Sequence, residues 1–200
     1  MILTHGINSL KRGGGDETVT IGGRAYPVVE INGVKWMAEN LDYKWDGLLF
    51  EDGYSDDPAG CYYNNDEDTY GVDGNRYGLL YNLSASVYLR NNISELAPGC
   101  RFPTDADWDQ LFSVGWPNLK SKTGWPTGYN GTDPFGFNMP PGGTYSWGGF
   151  GYVGNFALIN VERYRNNWAM YFLRYDESDK GTPNAVNNWY RTSIRLIVNT

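Results

Sequence analysis

At 200 residues the chain has room for one domain, and a domain of that size buries roughly 70% of its unfolded surface. Its net charge of −7 and the lack of a basic cluster argue against a nucleic-acid partner. No apolar run approaches the roughly 20 residues of a bilayer-crossing helix, so membrane insertion is not expected.

Aromatic residues make up 16% of the chain and offset a modest aliphatic content, since each can bury roughly 150–250 Å². With 26 Gly and 10 Pro, turns should be frequent. A loop-rich α+β domain is expected rather than a long-helix bundle. Residues 1–16 end in Arg12-Gly13-Gly14-Gly15-Asp16 and read as a flexible tail, with the domain over 17–200. The start of the chain lacks the apolar core of a secretory signal, so synthesis in the cytoplasm is expected.

Two hairpins follow the tail. Thr18–Ile21 turns at Gly22-Gly23 into Ala25–Ile31, which turns at Asn32-Gly33 into Val34–Met37. Asn-Gly between apolar runs favours a tight hairpin, because both turn residues accept positive φ. Residues 42–76 are acidic and aperiodic, and are expected to be a long irregular region.

Leu79, Leu80, Leu83, Val87 and Tyr88 recur at spacings of three and four, which predicts an amphipathic helix over about 77–90. Thr104 and Asp107 form a capping-box pair at the start of a second helix, with Trp108, Leu111 and Phe112 on one face. From about 114 the chain is rich in Gly, Pro, Asn and aromatics. Trp168–Tyr175 and Ser193–Val198 read as strands.

Catalytic chemistry finds little support. His5, the one histidine, lies in the tail, which argues against a Ser-His-Asp or Cys-His centre. Asp66, Glu67, Asp68 and Asp73 read better as a solvated loop than as a glycosidase pair. Asn64, Asp66, Asp68, Asp73 and Asn75 supply hard oxygen ligands, so a structural calcium ion is the alternative to having no cofactor. Thr69 stands where an EF-hand loop needs Gly. No metal site is assigned.

Seven segments in order resemble the Fibrobacter succinogenes major paralogous domain family. They are Trp36–Tyr43, Cys61–Glu67, Tyr77–Asn82, Arg101–Trp108, Asn130–Phe137, Pro141–Gly143 and Ser193–Val198. The resemblance covers about residues 18–198. It implies a C-type lectin-like fold with two helices, small antiparallel sheets, long irregular loops, and an N-terminal strand near the C-terminal one. It also implies likeness to the variable proteins of diversity-generating retroelements, some of them phage tail tips. Residence on a phage virion or cell surface follows by resemblance.

Three departures limit it. Gly99-Cys100 stands where relatives often have Gly-Trp, and Phe156-Ala157-Leu158-Ile159 replaces an expected Trp-Ser-Ser stretch. The cysteine that often sits in the last strand is missing, so Cys61 and Cys100 are expected as free thiols.

The resemblance places ligand recognition in the C-terminal third, about 152–191. That stretch has the Tyr, Trp, Arg and Asn content of antibody paratopes. The candidate contact residues are Asn155, Phe156, Leu158, Asn160, Arg163, Tyr164, Arg165, Asn166, Asn167, Tyr171, Arg174, Tyr175, Asn187, Asn188, Tyr190 and Arg191. Trp168, Phe172 and Trp189 are expected in the core. The expected partner is a cell-surface protein or glycan receptor. A fixed adhesion or structural module is the alternative, and an enzyme is not expected. Oligomeric state is left open.

Overall fold

The computed structural model describes residues 17–51, 53–72, 77–146, 149–150, 155–164, 167–174, 184–185 and 188–199. The tail expected over 1–16 lies outside them.

The two hairpins form as their turns dictate. Strands β1 (Thr18–Ile21), β2 (Arg24–Ile31) and β3 (Val34–Met37) run antiparallel, with Ile21 opposite Arg24 and Ile31 opposite Val34. Asn32 and Gly33 both take positive φ, at 52° and 80°, which a tight turn of this kind needs.

The acidic stretch is mostly irregular, as expected. Among the described residues it holds the short strands β4 (Leu49–Phe50) and β5 (Ala59–Cys61), a 3-10 turn at Tyr63–Asn65 and the one-turn helix α1 (Glu67–Tyr70). Asp66 caps α1 by accepting from the Thr69 amide at 2.8 Å.

The next helix begins later than its apolar spacing predicts. Leu80–Tyr81 is a strand, β6, antiparallel to β5, and helix α2 spans Leu83–Asn91. The cause is Asn82. Its side chain caps α2 by accepting from the Ala85 amide at 2.8 Å, and it also bonds the 55–59 loop. Leu79, just before β6, and Leu80, within it, are therefore core residues ahead of the helix, and α2 buries Ala85, Ser86 and Leu89 rather than Val87 and Tyr88. A one-turn helix α3 (Ile93–Leu96) and strand β7 (Cys100–Arg101) follow.

Helix α4 (Asp105–Phe112) has the expected capping box between Thr104 and Asp107. Trp108 and Leu111 are buried and Phe112 partly so. After it come β8 (Tyr145–Ser146), β9 (Gly149–Phe150), β10 (Asn155–Tyr164), β11 (Asn167–Arg174), β12 (Asn184–Ala185) and β13 (Ile197–Val198). Among the described residues the chain is thus α+β, with four helices and small, mainly antiparallel sheets.

The main sheet has the order β1-β2-β3-β13-β7, so the last strand lies between elements from the first half of the chain. Alternation along its strands sends side chains to two cores. One face gives Tyr26, Met37 and Leu196 to a core with Ala85, Leu89 and Phe102. The other gives Val29, Ile31, Trp36 and Ile197 to a core with Trp108, Leu111, Trp116 and Phe137. Trp36 meets Trp108 at 4.9 Å between ring centroids and Phe137 edge-on at 5.9 Å. Both cores are aromatic, which is how a chain with few aliphatics covers a sheet on both faces.

Only Ile197–Val198 of the expected Ser193–Val198 strand lies in a ladder. The whole stretch 191–197 is instead a buried strap across the molecule. Arg191 pairs with Tyr145 and Thr192 with Tyr81; the carbonyls of Ile194 and Leu196 accept from Leu41 and Met37 at 2.8 and 3.0 Å. Arg195 is fully enclosed. It donates to Asn40 Oδ1 at 2.8 Å, to the Phe137 carbonyl, and to the Asn138 carbonyl at 3.0 Å. Burial pulls its pKa down to about 9, so it still carries its charge at neutral pH.

Candidate ligand-binding site

Strands β10, β11 and β12 form a three-stranded antiparallel sheet that, among the described residues, shares no ladder with the main sheet. Asn155 faces Arg174 and Asn160 faces Ala169, with an irregularity before Tyr164 faces Asn167. Leu158 and Tyr171 are cross-strand partners within it. Ala169 and Met170 pair with Ala185 and Asn184.

This sheet lies within one excursion of the chain. Tyr145 and Arg191 exchange both backbone hydrogen bonds, at 3.1 and 2.9 Å, so residues 146–190 leave and return at one bridge. β10 lies against α2.

The candidate contact residues separate accordingly. Asn155, Phe156, Leu158, Asn160, Arg163 and Tyr164 are on β10, and Asn167, Tyr171 and Arg174 on β11. The expected strand over Trp168–Tyr175 is thus present as β11 as far as Arg174. Arg165, Asn166, Tyr175 and Asn187 lie outside the described residues. Asn188, Tyr190 and Arg191 stand at the foot of the excursion.

Arg191 corrects the expectation of an exposed contact residue: it is 0% exposed. Its Nη1 donates to the Gly53 carbonyl at 2.6 Å, and its guanidinium sits 5.2 Å from the Tyr145 ring centroid. It is a fastening inside the protein, because the strap carrying it is covered on both sides. Trp189, expected in the core, is only half-buried. Its ring lies 4.9 Å from that of Tyr54, which is 47% exposed.

Sequence reasoning missed the partners at this foot. Asn188 Oδ1 accepts from the Ser84 amide at 3.1 Å, and its Nδ2 donates to Asp56 Oδ1 at 3.3 Å. Ser84 Oγ donates to the Asp56 carbonyl at 2.7 Å. The Tyr54 hydroxyl donates to Asp56 Oδ1, and this bond pushes the phenol pKa up. These residues come from three distant stretches, so no local spacing announces them.

Of the calcium candidates, Asp73 and Asn75 lie outside the described residues. Asp66 is engaged as a helix cap. Among the described residues no three His, Cys, Asp or Glu side chains cluster as a metal site. Cys61 and Cys100 are both buried and unbonded to each other. No helix among the described residues is long and apolar enough to cross a membrane.

No family model matches this chain, and no curated protein or solved structure does.

Proposed function

We propose that the chain is a non-enzymatic receptor-binding protein with a C-type lectin-like fold, displayed on a phage virion or cell surface. The excursion closed by Tyr145 and Arg191 carries its binding surface, and its partner is a cell-surface protein or glycan. It works without a cofactor. In this reading the excursion is the segment that a diversity-generating retroelement rewrites.

The observation that carries the reading is the separation of roles at the Tyr145–Arg191 bridge. On one side, the strap 191–197 is buried and bonded into both cores. On the other, residues 146–190 hold a sheet of their own, with ten consecutive residues in β10. A rigid base that holds both ends of a long segment tolerates changes of sequence within it, away from where β10 lies against α2 and Asn188 bonds Ser84 and Asp56, as binding loops on rigid scaffolds do. The pairing of β13, the last strand, with β3 at the end of the N-terminal hairpins supports the lectin-like reading.

The test is the gene sequence in many sibling isolates of one lineage. Differences should gather within codons 155–190, at adenines of the coding strand. They should spare Arg191, Thr192, Ser193 and Arg195, whose side chains are buried. Changes that are scattered or absent would overturn diversification and leave a fixed adhesion or structural module.

A further inference from the structure

The foot of the excursion carries a surface strip with its own chemistry. At one end the Tyr54 and Trp189 rings meet at 4.9 Å, inclined at 49°. Beside them stand Asp56, Asn188 and Ser84, joined by hydrogen bonds. Ser84 lies on α2, and Tyr88, four residues on, lies on the same face about 6 Å further along the axis. Tyr88 is 37% exposed and stacks on Trp45 at 5.0 Å and 9°. The strip therefore runs from an aromatic pair through a polar cluster to a second aromatic pair.

We infer that this strip is a binding site for a neutral oligosaccharide. Flat aromatic faces offer large contact area at low entropy cost and suit the apolar faces of sugar rings. The polar cluster decides between ligand classes. Most of its donors are engaged: the Tyr54 hydroxyl and one Asn188 amide hydrogen are given to Asp56 Oδ1, and Ser84 Oγ donates to the Asp56 carbonyl. What remains to offer is mainly acceptor capacity, chiefly at the Asp56 carboxyl oxygens. Sugar hydroxyls are donors and match it. A proline-rich peptide presents carbonyl acceptors on its backbone and does not. Asp56 and Asp57 are both exposed, and with the net charge of −7 they disfavour a polyanion.

The inference shares with the proposed function only the premise that the chain binds a ligand. It does not need the excursion to be diversified.

The test is affinity electrophoresis of the full chain through gels containing mixed-linkage β-glucan, xylan or galactomannan, with EDTA present throughout. Retardation by at least one of these is expected. Tyr54→Ala and Trp189→Ala should each weaken it about tenfold or more, as loss of an aromatic anchor does. Asp56→Asn, which keeps the shape and removes the charge, should weaken it too. Unfolding midpoints of the same variants separate lost binding from lost folding, and the exposed Tyr54 gives the cleaner case.

No retardation on any gel would overturn the inference, as would retardation unchanged in well-folded Tyr54→Ala and Trp189→Ala proteins. So would retardation that appears only without EDTA, or tryptophan fluorescence that responds to a decaproline peptide and to no glycan. If sibling genes prove invariant while retardation holds, diversification alone fails. If the excursion varies and nothing is retarded, only the strip fails.

Discussion

Tyr145 and Arg191 are joined three ways: by two backbone hydrogen bonds, by the guanidinium lying 5.2 Å from the phenol ring centroid, and by near-complete burial of both side chains. The Arg191 Nη1 bond to Gly53 draws the 53–56 loop to the same point. One residue thus fastens the end of the excursion, its beginning, and the loop bearing Tyr54 and Asp56.

Replacing Arg191 by Met should therefore be costly. The long apolar side chain fills much of the space, but Gly53 loses its donor and the ring contact is lost. A cost of about 2–4 kcal/mol is expected, typical of a broken buried network. Urea unfolding measures it, with Arg90→Met on the exposed side of α2 as the near-neutral comparison.

Acid should expose the pair Arg101–Asp107. The guanidinium grips the carboxylate at 2.6 and 2.8 Å, and with the Thr104 bonds it holds the Asp107 pKa at about 2, below the ordinary 3.8. A depressed folded-state pKa stabilises above the unfolded value, and that stability is lost as pH falls through the folded one. The window is therefore about pH 4 down to about pH 2. The Arg101 side chain is 38% exposed, so solvent screening limits the effect to on the order of 1 kcal/mol. Asp107→Asn should be less stable than the parent at pH 5, with the gap closing toward pH 2.

Gly33 and Gly78 both have positive φ, at 80° and 76°, yet alanine should be tolerated very differently. An added Cβ at Gly33 meets nothing within 4 Å, so only backbone strain of about 1 kcal/mol is expected. At Gly78 it would lie 2.7 Å from Asn40 Cβ and 2.9 Å from the Leu41 carbonyl oxygen. Those are backbone-anchored neighbours that cannot swing aside. Gly78→Ala should cost about 3 kcal/mol or more. Thermal unfolding of the two variants side by side is the check.

The thiols should be silent in the native protein. Cys61 and Cys100 are buried, and burial pushes the Cys100 pKa up, both of which suppress thiolate attack. Ellman's reagent should titrate neither within minutes under native conditions and both in urea. Prompt native reaction would contradict the packing around them.

The elements most legible in the sequence are those fixed by local chemistry. Asn32-Gly33 sets a hairpin because few other residues accept its backbone angles, and Thr104 with Asp107 sets a helix start by reciprocal capping. The start of α2 was harder to read. Leu79, Leu80 and Leu83 keep helical spacing by coincidence, while the deciding group is the Asn82 side chain, whose partners include residues 55–59. Arg191 and Arg195 mislead for a similar reason. Arg191 reads as a contact residue from its place in the Tyr-, Trp-, Arg- and Asn-rich stretch, and nothing in the local sequence marks Arg195 as enclosed. They are buried because their acceptors, the carbonyls of Gly53, Phe137 and Asn138, come from loops far away in sequence. The foot of the excursion was invisible in the same way, since Tyr54, Ser84 and Asn188 meet only in the folded chain.

The central claim is that residues 146–190 form a presented segment that the base does not need. Tyr145 and Arg191 already form a hydrogen-bonded pair, the geometry that flanks a two-residue turn. Replacing 146–190 by Asn-Gly should therefore close the base with little distortion. Amide hydrogen exchange of that variant should show β2, β3, β13 and α4 protected as in the parent. Loss of that protection would mean that the excursion is part of the core, and would contradict the account.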